Sequence, residues 1–201
     1  MKQIKITQDN LKKILFKENK KNIIDVYIFD VKNNIELKYN YEEFVDVIIK
    51  KIAGFDPNLK RKISLNTKTP FKLLKYLALN ENWLLKELIA QNKNCPIEIL
   101  EMFSKSENGT LRKHVAKNKK TPSEILEFLS YDKEAYVVEE VAGNINTPKK
   151  ILTKLSKSKN WFIKRNIANN KNTSKTILKK LSNDHNLIVK ELAIKNLKQK
   201  S

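Results

Sequence analysis

Asparagine recurs along this chain at one interval: Asn66, Asn92, Asn118, Asn144, Asn170 and Asn196 stand 26 residues apart. Proline follows four residues later at Pro70, Pro96, Pro122 and Pro148, and Ser174 holds the fifth place. A strict period of this length means copies of one supersecondary unit, each too small to bury its own faces and therefore stacked on the next. Such an array constrains architecture strongly and function hardly at all.

Counted from each proline or from Ser174, the fourth residue is always leucine: Leu74, Leu100, Leu126, Leu152 and Leu178. Before it stands Leu73, Ile99, Ile125, Ile151 or Ile177, and three places after it Leu77, Phe103, Leu129, Leu155 or Leu181. That spacing makes the buried stripe of a short helix. A second stripe falls 15, 19 and 20 residues past the proline, at Leu85, Ile89, Ala90; Leu111, Val115, Ala116; Val137, Val141, Ala142; and Ile163, Ile167, Ala168. The recurrent alanine lets two helices approach closely.

Each unit is thus a pair of short helices joined by a polar linker such as 80–82 or 131–134. In Thr121, Pro122, Ser123 and Glu124 the order of hydroxyl, proline and acid predicts a helix start with threonine at the cap and proline in the first turn. The asparagine after the second helix is expected either to end it in the left-handed conformation or to tie the interrepeat turn through its amide. A row of asparagines reading a ligand is the competing interpretation. Asn40 keeps the phase, so Tyr41–Ala53 with Pro57–Ser64 reads as a degenerate opening repeat that caps the array.

The string Thr121-Pro122-Ser123-Glu124-Ile125-Leu126-Glu127-Phe128-Leu129 and, before it, Leu111-Arg112-Lys113-His114-Val115-Ala116-Lys117-Asn118 resemble the leucine-rich repeat variant family, within the HEAT and armadillo-like solenoids. The resemblance covers about residues 66–201. It implies a mainly α, right-handed α-solenoid of about five 26-residue two-helix repeats. It is specific for fold and silent on function. The family's usual unit is a little shorter, and the cysteine cluster that binds iron and sulfur in some relatives has no counterpart, because this chain has only Cys95.

The first forty residues break the period. Lys2–Thr7 alternates as a strand, Asp9–Phe16 suits a helix, and Ile23–Val31 and Ile35–Tyr39 read as strands joined across Lys32, Asn33 and Asn34. The expected organisation is a small α/β element or cap over 1–40 and a solenoid over 41–201, with 41–65 as its degenerate first repeat. A single cysteine suits a reducing compartment, although a redox thiol remains an alternative. With no secretory leader and no membrane-length apolar run, a soluble cytoplasmic protein without membrane association is expected.

The net charge of +19 is unevenly placed: residues 1–65 carry +5, 66–144 carry +1 and 145–201 carry +13. Lysine supplies 38 of the 41 cations, which favours a solvated lysine-rich surface over arginine forks for phosphate. On the first helices Glu98, Glu101, Glu124 and Glu127 give way to Lys149, Lys150, Lys154, Lys175, Lys179 and Lys180, and the second helices add Lys164, Arg165, Lys190 and Lys195. Because repeats stack in register, these predict a basic end. Lys86, Arg112, Lys164 and Lys190 share one phase, broken by Val138, and either form a ladder to acids such as Asp132 and Asp184 or face a ligand. Trp83 and Trp161 share another phase, as packing residues or as stacking platforms.

His114 and His185 lack partners at metal-ligand spacing, and three glycines cannot build a phosphate loop. Neither a cofactor nor a metal site is expected, and catalysis is not favoured. The leading reading is a non-catalytic scaffold for a protein partner. The alternative is a nucleic-acid binder, including a relative of the HEAT-like DNA glycosylases, whose acid and aromatic constellation does not map onto this chain. The binding residues in question are Lys150, Lys154, Lys164, Arg165, Lys175, Lys179, Lys180, Lys190, Trp83 and Trp161.

Overall fold

The computed structural model describes residues 14–18, 24–30, 35–39, 45–46, 48–50, 52–54 and 57–200. Contacts divide the chain into two units, residues 1–92 and 93–201, so the boundary expected at 40/41 falls inside the first.

The first unit opens with three strands, β1 Ile14–Glu18, β2 Ile24–Asp30 and β3 Ile35–Tyr39, in one antiparallel sheet of that order. Ile14 pairs with Ile28 and Glu18 with Ile24, while Val26 pairs with Tyr39 and Asp30 with Ile35. β2 and β3 lie where alternation placed them. The helix expected over Asp9–Phe16 is corrected: residues 14–16 are strand, because the run Ile14-Leu15-Phe16 finds a ladder partner in β2 and tertiary pairing overrides local preference. Residues 9–13 and the expected strand Lys2–Thr7 lie outside the described residues.

Val45, Ile48 and Ile52 are buried, and a short 3₁₀ turn at Ile52–Gly54 leads to α1 Pro57–Leu65. α2 Phe71–Asn80 and α3 Trp83–Gln91 follow. α1 sits one period before α3 and packs on it, so it is the second helix of the opening repeat.

The second unit is four helix pairs. The first helices are α4 Ile97–Ser104, α6 Ser123–Leu129, α8 Lys149–Leu155 and α10 Lys175–Leu181. The second helices are α5 Gly109–Lys117, α7 Ala135–Gly143, α9 Trp161–Asn169 and α11 Leu187–Lys198. Second helices stack closely, α5 on α7, α7 on α9 and α9 on α11, with the fully buried Ala116, Ala142 and Ala168 permitting the approach. First helices touch one another lightly. Leu100, Leu126, Leu152 and Leu178 are 0% exposed, and removing such a side chain to alanine costs about 2–5 kcal/mol.

Two recurrent side chains, asparagine and threonine, stitch the array. The amide nitrogen of Asn144 donates to Ala116 O at 2.7 Å and Asn118 O at 2.9 Å, and that of Asn170 to Ala142 O at 2.9 Å and Asn144 O at 2.8 Å. In the first unit Asn92 does the same to Ser64 O and Asn66 O. The amide oxygen of Asn118, Asn144 and Asn170 accepts the backbone N–H two residues on, at 2.9 Å in each case. Of the two expectations for this residue the left-handed ending is corrected: Asn92, Asn118, Asn144 and Asn170 have φ between −61° and −75° and ψ between 125° and 132°. The amide tie is what holds. Three hydrogen bonds demand this extended geometry.

Threonine is also reassigned. Proline, at ψ of 142° to 162°, is itself the N-cap of α2, α4, α6 and α8. The hydroxyl instead donates backward to a carbonyl near the end of the preceding helix, Thr69 to Ile63, Thr121 to Val115, Thr147 to Val141 and Thr173 to Ile167, at 2.5–2.6 Å. Each of these carbonyls also accepts the backbone N–H of the following asparagine at 3.1–3.2 Å, and its second lone pair supplies the acceptor that a threonine hydroxyl at most 7% exposed requires. Among the described first helices α2, α4, α6, α8 and α10, only α10 is capped through a side chain, Ser174 in the proline place accepting from Ile177 N.

Candidate binding surface

Burial of positions three, four and seven past the proline turns positions one, two, five and six of each first helix outward. On α4 these are Ile97, Glu98, Glu101 and Met102, all exposed. On α6 Glu124 and Phe128 are exposed and Glu127 half-buried. On α8 and α10 the same positions read Lys149, Lys150, Thr153, Lys154 and Lys175, Thr176, Lys179, Lys180, again all exposed. The face therefore runs from acidic and apolar to basic.

The two halves meet between α6 and α8. Lys150 Nζ lies 2.8 Å from Glu127 Oε2, a hydrogen bond that holds the ammonium above its usual range. Lys154 Nζ stands 2.9 Å from the centre of the Tyr131 ring. Tyr131 is 70% exposed and Phe128 56%. Both line a cleft of about 690 Å³ bounded by Ser104 to Glu107 on one side and by Glu127, Asp132 and Lys133 on the other. A second hollow of about 440 Å³ lies between Ile97, Glu101 and Lys105 of one repeat and Pro122, Ile125 and Phe128 of the next. Both hollows follow from the light contact of first helices, which leaves room between them.

The wall of the larger cleft is braced by a buried ion pair. Arg112 Nε and a terminal nitrogen donate to Asp132 at 2.6 and 2.8 Å, and the guanidinium also binds Ser106 O and Glu107 O. The two side chains are 8% and 5% exposed. Burial alone would raise the Asp132 carboxyl, but the Arg112 hydrogen bond and the Glu134 N–H outweigh it, and the group is held below the usual carboxylate range. Lys164 and Asp184 repeat the pair at 2.8 Å. At the same phase between them stand Val138 and Ser158, with neither charge. The cation row thus includes two structural pairs, and Lys164 is committed to one of them.

The remaining expected residues divide between layers. Lys175, Lys179 and Lys180 are exposed on α10, and Lys190 on α11; none has an ion-pair partner among the described residues. Trp161 stacks on Phe162 with centroids 3.8 Å apart, and Arg165 lies 5.7 and 5.3 Å from the two rings. This aromatic and cation group belongs to the second helices, apart from the lysines of α8 and α10. Trp83, 62% exposed, opens α3 in the other unit. Phe128 and Tyr131 are not among the expected site residues; the signal for Phe128 is that Met102 and Phe128 are apolar at a solvent-facing position that is Lys154 and Lys180 in later repeats, and Tyr131 has no such periodic signal.

Cys95 occupies the threonine position and is 0% exposed, and burial pushes its thiol up to about 12, which removes the redox-thiol alternative. Burial, then Lys113 and Lys117, lower the His114 imidazole below its ordinary range. Among the described residues there is no group of three metal-ligating side chains, and no helix is long and apolar enough to cross a membrane.

No protein-family model matches the chain, and no curated protein does. Among solved structures it is similar to one described as a leucine-rich repeat variant with a novel repetitive protein structural motif, at 18% identity over 76% of this chain and 71% of that one, with a TM-score of 0.38.

Proposed function

We propose that this chain is a non-catalytic scaffold whose repeats, within residues 41–201, present the first-helix face to a protein partner. The observation that carries the reading is the pair Phe128 and Tyr131, two aromatic side chains more than half exposed at the mouth of a 690 Å³ cleft. Aromatic residues over a cleft are the usual anchors of protein recognition, and they cost solvation while uncovered. Stacked helix pairs supply the extended, rigid surface on which such anchors sit.

Nucleic-acid binding is the second reading, favoured by the exposed lysines of α8 and α10, which present positive charge without arginine forks. A photo-crosslinking phenylalanine analogue at position 131, expressed in cells, separates the two. A protease-sensitive adduct that disappears with Phe128→Asp is expected. A nuclease-sensitive adduct, or no adduct, overturns the protein reading.

A further inference from the structure

Resting on the scaffold reading, we infer that the segment bound on this face is a short acidic peptide with one bulky apolar side chain. The apolar side chain enters the Phe128–Tyr131 cleft, and the acidic run lies along the lysines of α8 and α10.

The face is polar in sequence order, and this asymmetry sets the ligand's placement. Glu98, Glu101 and Glu124 lie on α4 and α6, whereas every charged side chain on the outer positions of α8 and α10 is lysine. An anionic peptide is attracted toward α10 and repelled toward α4, so one placement is favoured over its reverse. The cleft lies between the α4 and α6 repeats, and Tyr131 at its mouth reaches Lys154 at the crossover. There Lys150 and Lys154 are already engaged by Glu127 and Tyr131, whereas Lys175, Lys179 and Lys180 have no ion-pair partner among the described residues and are open to incoming carboxylates.

Spacing follows from helix packing. Neighbouring helices lie roughly 10 Å apart, so α6 to α10 is about 20 Å. An extended chain covers about 3.3 Å per residue, which places the acids within about six residues of the anchor.

Peptide is favoured over nucleic acid at this face because the cleft that must take the anchor carries an aromatic pair and no net positive charge. Glu107, Glu127 and Asp132 line it together with Lys105, Arg112 and Lys133, so it offers a phosphate backbone no net attraction. The bidentate donor there, Arg112, already gives four of its five N–H groups to Asp132 and two carbonyls.

The test is fluorescence anisotropy with the full chain and a labelled synthetic peptide of sequence Phe-Leu-Gly-Ser-Asp-Glu-Asp-Asp-Glu. Three other probes accompany it: the Asn/Gln version, the version with Ser for Phe and Leu, and an oligothymidylate of equal charge. The acidic apolar peptide is expected to bind at least about tenfold more tightly than either altered peptide. Triple reversal K175E/K179E/K180E should remove the preference for acids, and F128S/Y131S the preference for the anchor, each by about tenfold and with unchanged circular dichroism. All five positions are solvent-facing or at a cleft mouth, so the fold is expected to survive; a variant that unfolds is replaced by the single changes K179E or Y131S. Equal binding of the neutral peptide, or tighter binding of the oligonucleotide that ignores F128S/Y131S, overturns the inference. If position 131 crosslinks a polypeptide while the acidic peptide fails to bind, the inference falls and the scaffold reading stands. If no polypeptide is crosslinked, the scaffold reading itself falls.

Discussion

Changing Asn144 to aspartate alters a single terminal group and separates a turn residue from an interrepeat tie. Asn144 is 5% exposed, donates to Ala116 O and Asn118 O, and accepts from Asn146 N. Asn118 O keeps a second donor, Thr121 N, at 3.1 Å, whereas Ala116 O and Asn146 N depend on the amide. Asn144→Ala therefore orphans one buried carbonyl, at roughly 1–3 kcal/mol, and a partly exposed N–H that water can reach at little further cost. Aspartate keeps the acceptor for Asn146 N but aims a carboxylate at two carbonyl oxygens, and its desolvation adds to the repulsion. N144D should thus be worse than N144A, by about 1 kcal/mol or more at neutral pH, in urea unfolding followed by circular dichroism. The folded-state pKa of that aspartate is raised, so the protonated form is the tolerated one. Its penalty shrinks as pH falls and is fully expressed once pH rises through the raised value. An N144D protein within about 0.5 kcal/mol of the parent, a surface-like change, would refute the tie.

Breaking the Arg112–Asp132 pair with D132N should cost about 3 kcal/mol, since it leaves a buried guanidinium short of its charge partner. The double change R112V/D132S, copied from Val138 and Ser158 at the same phase, should cost less than either single change in a double-mutant cycle. Because the Asp132 carboxyl is held below the usual range, its contribution is present above about pH 4 and lost as pH falls through the folded value, so the acid limb of unfolding should flatten in D132N. Cys95 should resist thiol reagents in the native protein at pH 8 and react on unfolding; equal rates in both states would contradict its burial. Ser174→Ala should lose about 0.5–1 kcal/mol with its cap, whereas Ser174→Pro should recover that loss, because φ −67° and ψ 153° already match the other prolines.

The repeat was legible because its signal is periodic, and the buried stripes, the helix pairs and the opening copy ending in α1 all follow from counting. What local reading missed involves partners outside the local window. Thr121 looks like a cap until its acceptor proves to be Val115 O in the preceding helix, and the two acceptors of Asn144 lie 28 and 26 residues back. A second periodic row, Asn82, Asn108, Asn160 and Asn186, caps the second helices and was open to the same counting. The strand found at 14–16, where a helix was expected, has a different origin, since a short apolar run takes its conformation from the strand beside it. The charge gradient of the candidate surface was visible as a row of substitutions. The cleft was not, because it exists only once second helices pack tightly and first helices do not.

The asparagine stitch has a direction. Each amide reaches back toward the preceding copy, so a cut between repeats exposes hydrogen-bond donors on one edge and acceptors on the other. Two such edges mate head to tail and not tail to tail, as with tongue and groove boards. Removing one 26-residue copy from the interior would bring together edges of the same two kinds that were parted. This lets such an array lengthen or shorten by whole units without inventing a new joint.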